Sequence, residues 1–315
     1  MKTVFVSGAS GVLGSRLVHR LTGAGFPVRA LVKPDDPWLG RLAGTGCEFW
    51  RGDIQDPKCL AGAFAGVGTV FHLAAVILSP DPSAFERINT GGTANMVAAA
   101  AESGARHFVY VSSASVVYPK LTLYAQAKLA GETLVKNERR FAHTIVRPTL
   151  VYDENGGQEL LLFWEMLKRF PIVPLVGGGR ARKRPVFAGD IVEGLFRIAD
   201  NPKAHGKTYN FSGSEAITLR ELGELMLATA GLRKHFVAIP TPLCRLVARV
   251  LTLIDPNHPF SPQAVAGLCN DADLPPDAAV ADLGFQPLGV RAGLPQHFPR
   301  TALPNPGPRT MEAPS

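Results

Sequence analysis

One stretch near the start of the chain, 3-TVFVSGASGVLGSRLVHRLTGAG-25, limits the possible folds more than any other. An apolar run ends in glycines at 8, 11 and 14, and a segment with helical apolar spacing follows. At a strand-to-helix turn, glycines let the backbone come close to a pyrophosphate, because a Cβ would block the approach and the helix N-terminus offers free N–H groups. Gly8, Ser10, Gly11, Val12, Leu13 and Gly14 are therefore candidate cofactor contacts. The spacing is GxxGxxG rather than GxGxxG, so the strand before it and the helix after it are what give it meaning.

The same rhythm repeats downstream. VRALVK, CEFWRGD, TVFHLAA and HFVYVSS read as strands and alternate with helical patterns, including the alanine-rich 84-AFERINTGGTANMVAAAAESG-104. Continuous apolar strands joined by helical crossovers predict a parallel sheet covered on both faces. The expected fold is α/β: a doubly wound parallel Rossmann sheet over residues 1–150, with 144–148 as its sixth strand, then a smaller, mostly helical substrate lobe over 151–292. The segment around 186–213 is expected to return to the first domain. Leu243, Leu246, Val247, Val250, Leu251 and Ile254 share one face of the segment 242–254, with Arg245 and Arg249 away from it, which reads as a core-packed helix rather than a membrane-surface one, because only the two arginines could meet lipid headgroups. The proline-rich stretch 293–315 reads as a disordered tail.

With 315 residues, 46% of them hydrophobic, the chain can bury a large core. Its four cysteines, at 47, 59, 244 and 269, form no CxxC pair, and no His/Cys group has zinc spacing, so no metal is expected and a reduced, cytoplasmic setting fits. The chain enters its first strand directly and contains no run of roughly 18 apolar residues, so neither export nor a membrane span is expected. The formal charge of +7 is scattered apart from Arg139-Arg140 and 180-RARKR-184, and no nucleic-acid module is readable. Anionic small molecules explain that charge better than nucleic acid does.

Strand 28-VRALV-32 ends on Lys33, where NAD-preferring folds place an acidic residue for the ribose 2′-hydroxyl. A cation there would meet a 2′-phosphate, which favours NADP(H) over NAD(H), although Asp35 and Asp36 keep NAD open. Asp53 and Ile54, in the turn RGDIQD, are placed to meet the adenine; an ordinary turn aspartate explains Asp53 almost as well. Further on, Tyr124 and Lys128 stand four residues apart, on one helix face. A free phenol has a pKa of about 10, and lowering it by ~3 units takes roughly 4 kcal/mol, more than one exposed ion pair supplies. The positive charge of an oxidised nicotinamide, with partial burial, would have to help Lys128. Tyr124 would then exchange a proton with a substrate oxygen while hydride moves at the neighbouring carbon. Ser113, at the end of the fifth strand, is the candidate for orienting that oxygen, with Ser112 as the alternative.

These residues resemble the extended short-chain dehydrogenase/reductase superfamily, and within it the NAD-dependent epimerase/dehydratase group. The resemblance covers residues 1–290 through GASGVLG, GDIQD, 71-FHLAA-75, 89-NTGGT-93, VYVSS, YAQAK, 147-RPTLVY-152, Asp190, YNFSG and 282-DLGFQP-287. It implies that Ala74 and Ala75 keep the floor under the cofactor small, that Asn89 supports the active-site helix, and that Lys128 also holds the nicotinamide ribose. It further implies that Lys183 or Arg184 meets a substrate diphosphate, and that a homodimer forms through the helices containing 84–103 and 122–138. Ala114 and Ser115 stand where the family's dehydratases carry an Asp-Glu pair, so epimerisation or carbonyl reduction is favoured over dehydration. Leu150 replaces an asparagine that contacts the sugar nucleotide, and Asp153 stands where glycine is common. The implied function is NAD(P)-dependent epimerisation or oxidoreduction of a sugar nucleotide or another alcohol or carbonyl, such as a hydroxysteroid-type substrate. The alternative is a non-catalytic NAD(P)-binding structural or regulatory subunit.

Overall fold

The computed structural model describes residues 2–154, 157–255, 260 and 262–298. In chain order its main elements are β1 (Thr3–Ser7), α1 (Val12–Gly23), β2 (Val28–Val32), β3 (Glu48–Arg51), β4 (Val67–His72), α2 (Gly92–Glu102), β5 (His107–Val111), α3 (Leu123–Asn137), β6 (Ala142–Pro148), α4 (Gln158–Arg169), β7 (Ile172–Val176), α5 (Ala188–Ile198), β8 (Lys207–Phe211), α6 (Leu219–Thr229), β9 (His235–Ile239), α7 (Thr241–Ile254), α8 (Pro262–Cys269), α9 (Asp277–Leu283) and α10 (Val290–His297).

Seven strands form one sheet in the order β8-β6-β5-β4-β1-β2-β3, and each neighbouring pair is parallel. All five residues of β5 are buried, as expected for a central strand covered on both faces. The chain runs outward through β1, β2 and β3, then crosses to β4 on the other side of β1. That reversal opens a crevice at the carboxyl ends of β1 and β4, where such sheets bind ligands. One core cluster holds Leu17, Val18 and Leu21 of α1 against Ile191 and Leu195 of α5. Another, on the opposite face, holds Met96 and Ala100 of α2 with Phe64 and Phe108.

β8 pairs with β6, as the sequence predicts for 207–213. A second return was not foreseen: Ala279, Leu283 and Phe285 join the first core, with Phe285 stacked on Phe211 at 4.7 Å between ring centroids. The second lobe has its own core of Leu160, Phe163, Trp164, Leu222, Met226 and Leu294. Its parallel pair β7 and β9 stands apart from the main sheet.

Two expectations need correction. Residues 293–298 are ordered and belong to the second core: Val290, Leu294 and Phe298 recur every four residues and are buried, and Phe298 meets Trp164 edge-on at 5.7 Å. Three anchors on one helix face outweigh the proline-rich composition there, while 299–315 lie outside the described residues. Helix α7 forms as predicted but is not core-packed. Cys244 and Ala248 are its buried residues, Leu251 is partly buried, and its other large aliphatic side chains are exposed.

Candidate active site

The crevice starts at the glycine turn. Gly8 has φ +67°, and a Cβ on it would lie 2.7 Å from the Ala74 nitrogen; one on Gly14 would overlap the Gly8 oxygen. These two glycines are required by the packing of β1, α1 and the loop after β4, and the Ala74 backbone lies directly against Gly8. Gly11 has only the Gly8 oxygen, at 3.2 Å, near its would-be Cβ. It caps α1 with no side-chain hydrogen bond and no acidic residue in the first turn. The N–H groups beginning at Val12 and Leu13 therefore face the crevice without a side-chain acceptor, which suits an anionic pyrophosphate. Val12, Ser15, Arg16 and Arg41 line a cleft at this end.

Beneath the turn runs a buried hydrogen-bond chain that sequence reasoning missed. The Thr93 hydroxyl donates to the Asn89 carbonyl at 2.5 Å, so His72 Nε2, 2.9 Å from Thr93 Oγ1, is assigned the proton. His72 Nδ1 then accepts from Ser7 Oγ at 2.6 Å, and Ser7 Oγ accepts from the Ala74 N–H at 3.4 Å. Burial, aided by the nearby charge of Lys128, lowers the His72 pKa to about 3 and keeps the ring neutral. The Asn89 amide clamps both backbone groups of Val76, at 2.8 and 2.9 Å. Its support thus goes to the loop after β4, through a wide helical turn, Phe85–Gly91, that precedes α2. Nothing in the local pattern of FHLAA or NTGGT shows that these two motifs share one network.

On the adenine side, Lys33 pairs with Asp53 at 3.1 Å. Asp53 also accepts from the Gln55 N–H at 2.9 Å; desolvation raises its pKa, and the Gln55 and Lys33 contacts more than offset this, so the net shift is downward. Ile54 is buried, and its carbonyl accepts from Asn95 Nδ2 at 2.9 Å, so its side chain belongs to the core rather than the crevice. Asp36 accepts from Ser10 Oγ at 2.6 Å. Arg41, which the sequence did not single out, reaches the Ser10 carbonyl at 3.4 Å and lies over the Trp38 ring.

Across the crevice, Thr122 caps α3 by accepting from the Ala125 N–H at 3.2 Å, which places Tyr124 in the first turn. Tyr124, Lys128 and Glu132 follow at intervals of four along one stripe of this helix. Gly131 lets α3 pack closely on Tyr110, since a Cβ there would overlap the phenol hydroxyl. Lys128 is 1% exposed, and its ammonium lies 4.2 Å from the centre of the Tyr110 ring. Desolvation lowers its pKa to about 7, opposed by Glu132. Tyr124 is raised above its ordinary value by desolvation and then by Glu159, while Ser113, within hydrogen-bonding reach, pulls it down. The chain therefore holds Tyr124 as a protonated phenol at neutral pH. Lys128, half-neutral near pH 7, does not by itself make it a base.

The two serines separate cleanly. Ser112 Oγ donates to Glu132 Oε1 at 2.7 Å, and Arg147 grips the same carboxylate at 2.8 and 2.7 Å. Ser113 instead begins a short turn, accepting from the Ser115 N–H at 3.2 Å, and faces Tyr124. Of the two valines in that turn, Val116 is buried and Val117 exposed.

Lys183 and Arg184 make contacts that the sequence did not foresee. The Lys183 ammonium is buried and donates to the Gly267 and Asn270 carbonyls at 3.1 and 2.5 Å. Arg184 binds Asp273 at 2.5 Å and the Ser214 carbonyl at 3.0 Å. Both cations tie the strand-like segment around 183 to the chain near 270. Asp153, in place of the common glycine, is a buried anchor for Arg16 at 2.7 Å. Tyr124 has the Phe85 ring edge-on at 6.5 Å, and Glu159, exposed at the start of α4, acts on the phenol through its charge. Ile77, Leu78, Val117 and Leu123, on the segments after β4 and β5, are exposed.

Among the described residues no group of three or more His, Cys, Asp or Glu could hold a metal ion, and no helix is long and apolar enough to cross a membrane. Comparison with known proteins agrees with the geometry. The chain is 28% identical over 328 residues to the 3 beta-hydroxysteroid dehydrogenase/Delta 5-->4-isomerase of Mycobacterium tuberculosis, covering 90% of this chain and 86% of that one. It is 30% identical over 303 residues to the mitochondrial NADH dehydrogenase [ubiquinone] 1 alpha subcomplex subunit 9 of Arabidopsis thaliana, covering 91% and 73%. The solved UDP-glucose 4-epimerase of Thermus thermophilus, in complex with NAD, superimposes with a TM-score of 0.71 over 92% of this chain and 96% of that one at 21% identity, which carries the fold. The NAD dependent epimerase/dehydratase family model matches residues 4–212, and the chain belongs to that family.

Proposed function

We propose that the chain reduces apolar ketones, and oxidises the corresponding alcohols, with NADP(H). The carrying observation is the surroundings of Tyr124: a protonated phenol beside Ser113 and edge-on to Phe85, with exposed aliphatic side chains on the neighbouring segments after β4 and β5. A carbonyl oxygen gaining negative charge needs a proton donor, and a phenol held above its ordinary pKa is one. Ser113 would orient that oxygen, while Lys128 would hold the nicotinamide ribose and help to restore the proton. The bound dinucleotide supplies the hydride. With Lys183 and Arg184 engaged elsewhere and Glu159 near the phenol, a diphosphate-bearing sugar is disfavoured by charge. The steroid named for the Mycobacterium relative has the polarity these exposed side chains suit.

For the cofactor, Arg41 and Lys33 are the cations near the turn that suit a 2′-phosphate, although Asp53 takes up part of the Lys33 charge. The homodimer through the helices of 84–103 and 122–138 is retained in this reading, and exposed Leu129 on α3 is compatible with it. A second reading, a dinucleotide-binding subunit without turnover, is favoured by the likeness to the Arabidopsis subunit.

One panel separates these. NADPH oxidation is followed with hydrophobic ketones and repeated with NADH, and UDP-sugars are incubated with oxidised cofactor and analysed for the epimer or the oxidised sugar. Turnover of the ketones, at least about tenfold faster with NADPH, is expected from one charge-assisted phosphate contact. Turnover restricted to UDP-sugars overturns the substrate class, equal use of NADH overturns the cofactor choice, and tight binding with no turnover supports the subunit reading.

A further inference from the structure

We propose that α7 is a docking helix that lays the second lobe on an anionic lipid bilayer surface. The usual logic of a surface helix is inverted here. The small residues Cys244 and Ala248 face the protein, packed with Val265 and, partly buried, Val176, Ile239 and Phe260. Leu243, Leu246, Val247, Val250, Leu253 and Ile254 face outward, with Leu246 58%, Ile254 78% and Leu253 85% exposed. At ~100° per residue, Leu243, Val247, Val250 and Ile254 form one stripe, with Leu246 and Leu253 along its border. Arg245 and Arg249 stand next along that same border, on the side away from Cys244. A water-facing stripe would be polar, so this one is built for an apolar phase with the arginines at its edge.

Charge decides between possible occupants. Residues 241–254 contain two arginines and no Asp or Glu, in a chain of formal charge +7. Arginine stems can lie along the lipid while their heads reach phosphate groups, as interfacial helices require. A second copy docked on this face would bring its own Arg245 and Arg249 and no helix carboxylate to meet them. The helix is far shorter than a span needs, so it lies on the surface rather than crossing it. This inference does not depend on which reaction the crevice performs.

The test is flotation of the full chain with vesicles of phosphatidylcholine alone or with about one-third phosphatidylglycerol. Co-flotation with the anionic vesicles is expected, reduced about tenfold or more in Leu246→Glu/Val250→Glu, whose exposed positions should leave the thermal melt unchanged. Arg245→Gln/Arg249→Gln should keep part of the binding and lose the preference for phosphatidylglycerol. Sedimentation velocity is run on the same samples. Failure of the native chain to float, equal flotation of the glutamate variant, or a glutamate variant that only splits a dimer would each overturn the proposal.

Discussion

Tyr124→Phe is expected to lower the rate of ketone reduction by about 10²–10⁴-fold while leaving dinucleotide affinity unchanged within about twofold. The change removes one oxygen from a side chain already packed against Phe85, so neither the crevice nor α3 is disturbed. What disappears is the proton donor that desolvation and Glu159 hold in its neutral form. Stopped-flow single turnovers with NADPH and a hydrophobic ketone read the chemical step directly. A rate within threefold or so of the parent would mean that another group, Glu159 being nearest in character, protonates the product oxygen. Unlike a lost lysine contact, this defect should fall on kcat rather than on cofactor binding.

Arg147→Ala should have the largest effect on stability. Glu132 is 1% exposed on its side chain, and Arg147 supplies both of its bidentate hydrogen bonds, with Ser112 and Lys136 completing the set. Desolvation raises the Glu132 pKa, and the contacts with Arg147 and Ser112 more than reverse this, so its net shift is downward. Removing the guanidinium leaves a buried carboxylate short of partners, which costs about 3–5 kcal/mol. At about 2–4 °C per kcal/mol the melting temperature falls by roughly 6–20 °C. Because Ser112 precedes Ser113, the turn that begins at Ser113 should loosen as well. A loss below about 1 kcal/mol in urea titration would show that the pair is replaceable by Lys136 and water.

What could be read in advance was whatever is local in the chain. Parallel strands buried on both faces are continuous apolar runs, so the sheet and its glycine turn could be read from 3-TVFVSG to HFVYVSS. Tyr124 and Lys128 were legible because one helical turn relates them. Long-range pairings were not: nothing in RARKR shows that Lys183 will donate to carbonyls at 267 and 270, or that Arg184 will meet Asp273. The choice between Ser112 and Ser113 likewise depended on Glu132 and Arg147, 20 and 35 residues onward from Ser112. Periodicity in 242–254 revealed an apolar face but could not say what meets it, since the same pattern serves a core, a partner or a lipid surface. In 293–298 two anchors, Leu294 and Phe298, which continue the spacing of Val290, were hidden by proline-rich composition.

The most direct test of hydride transfer uses NADPH deuterated on one face at C4, incubated with a hydrophobic ketone that the chain consumes, and the product alcohol analysed by mass spectrometry and proton NMR. Label should appear at the carbinol carbon from one face of the cofactor only, and Tyr124→Phe should abolish its appearance. Cofactor that remains bound and unoxidised across the ketone panel, with no label in any alcohol, would contradict catalysis at Tyr124 and leave a dinucleotide-binding subunit in its place.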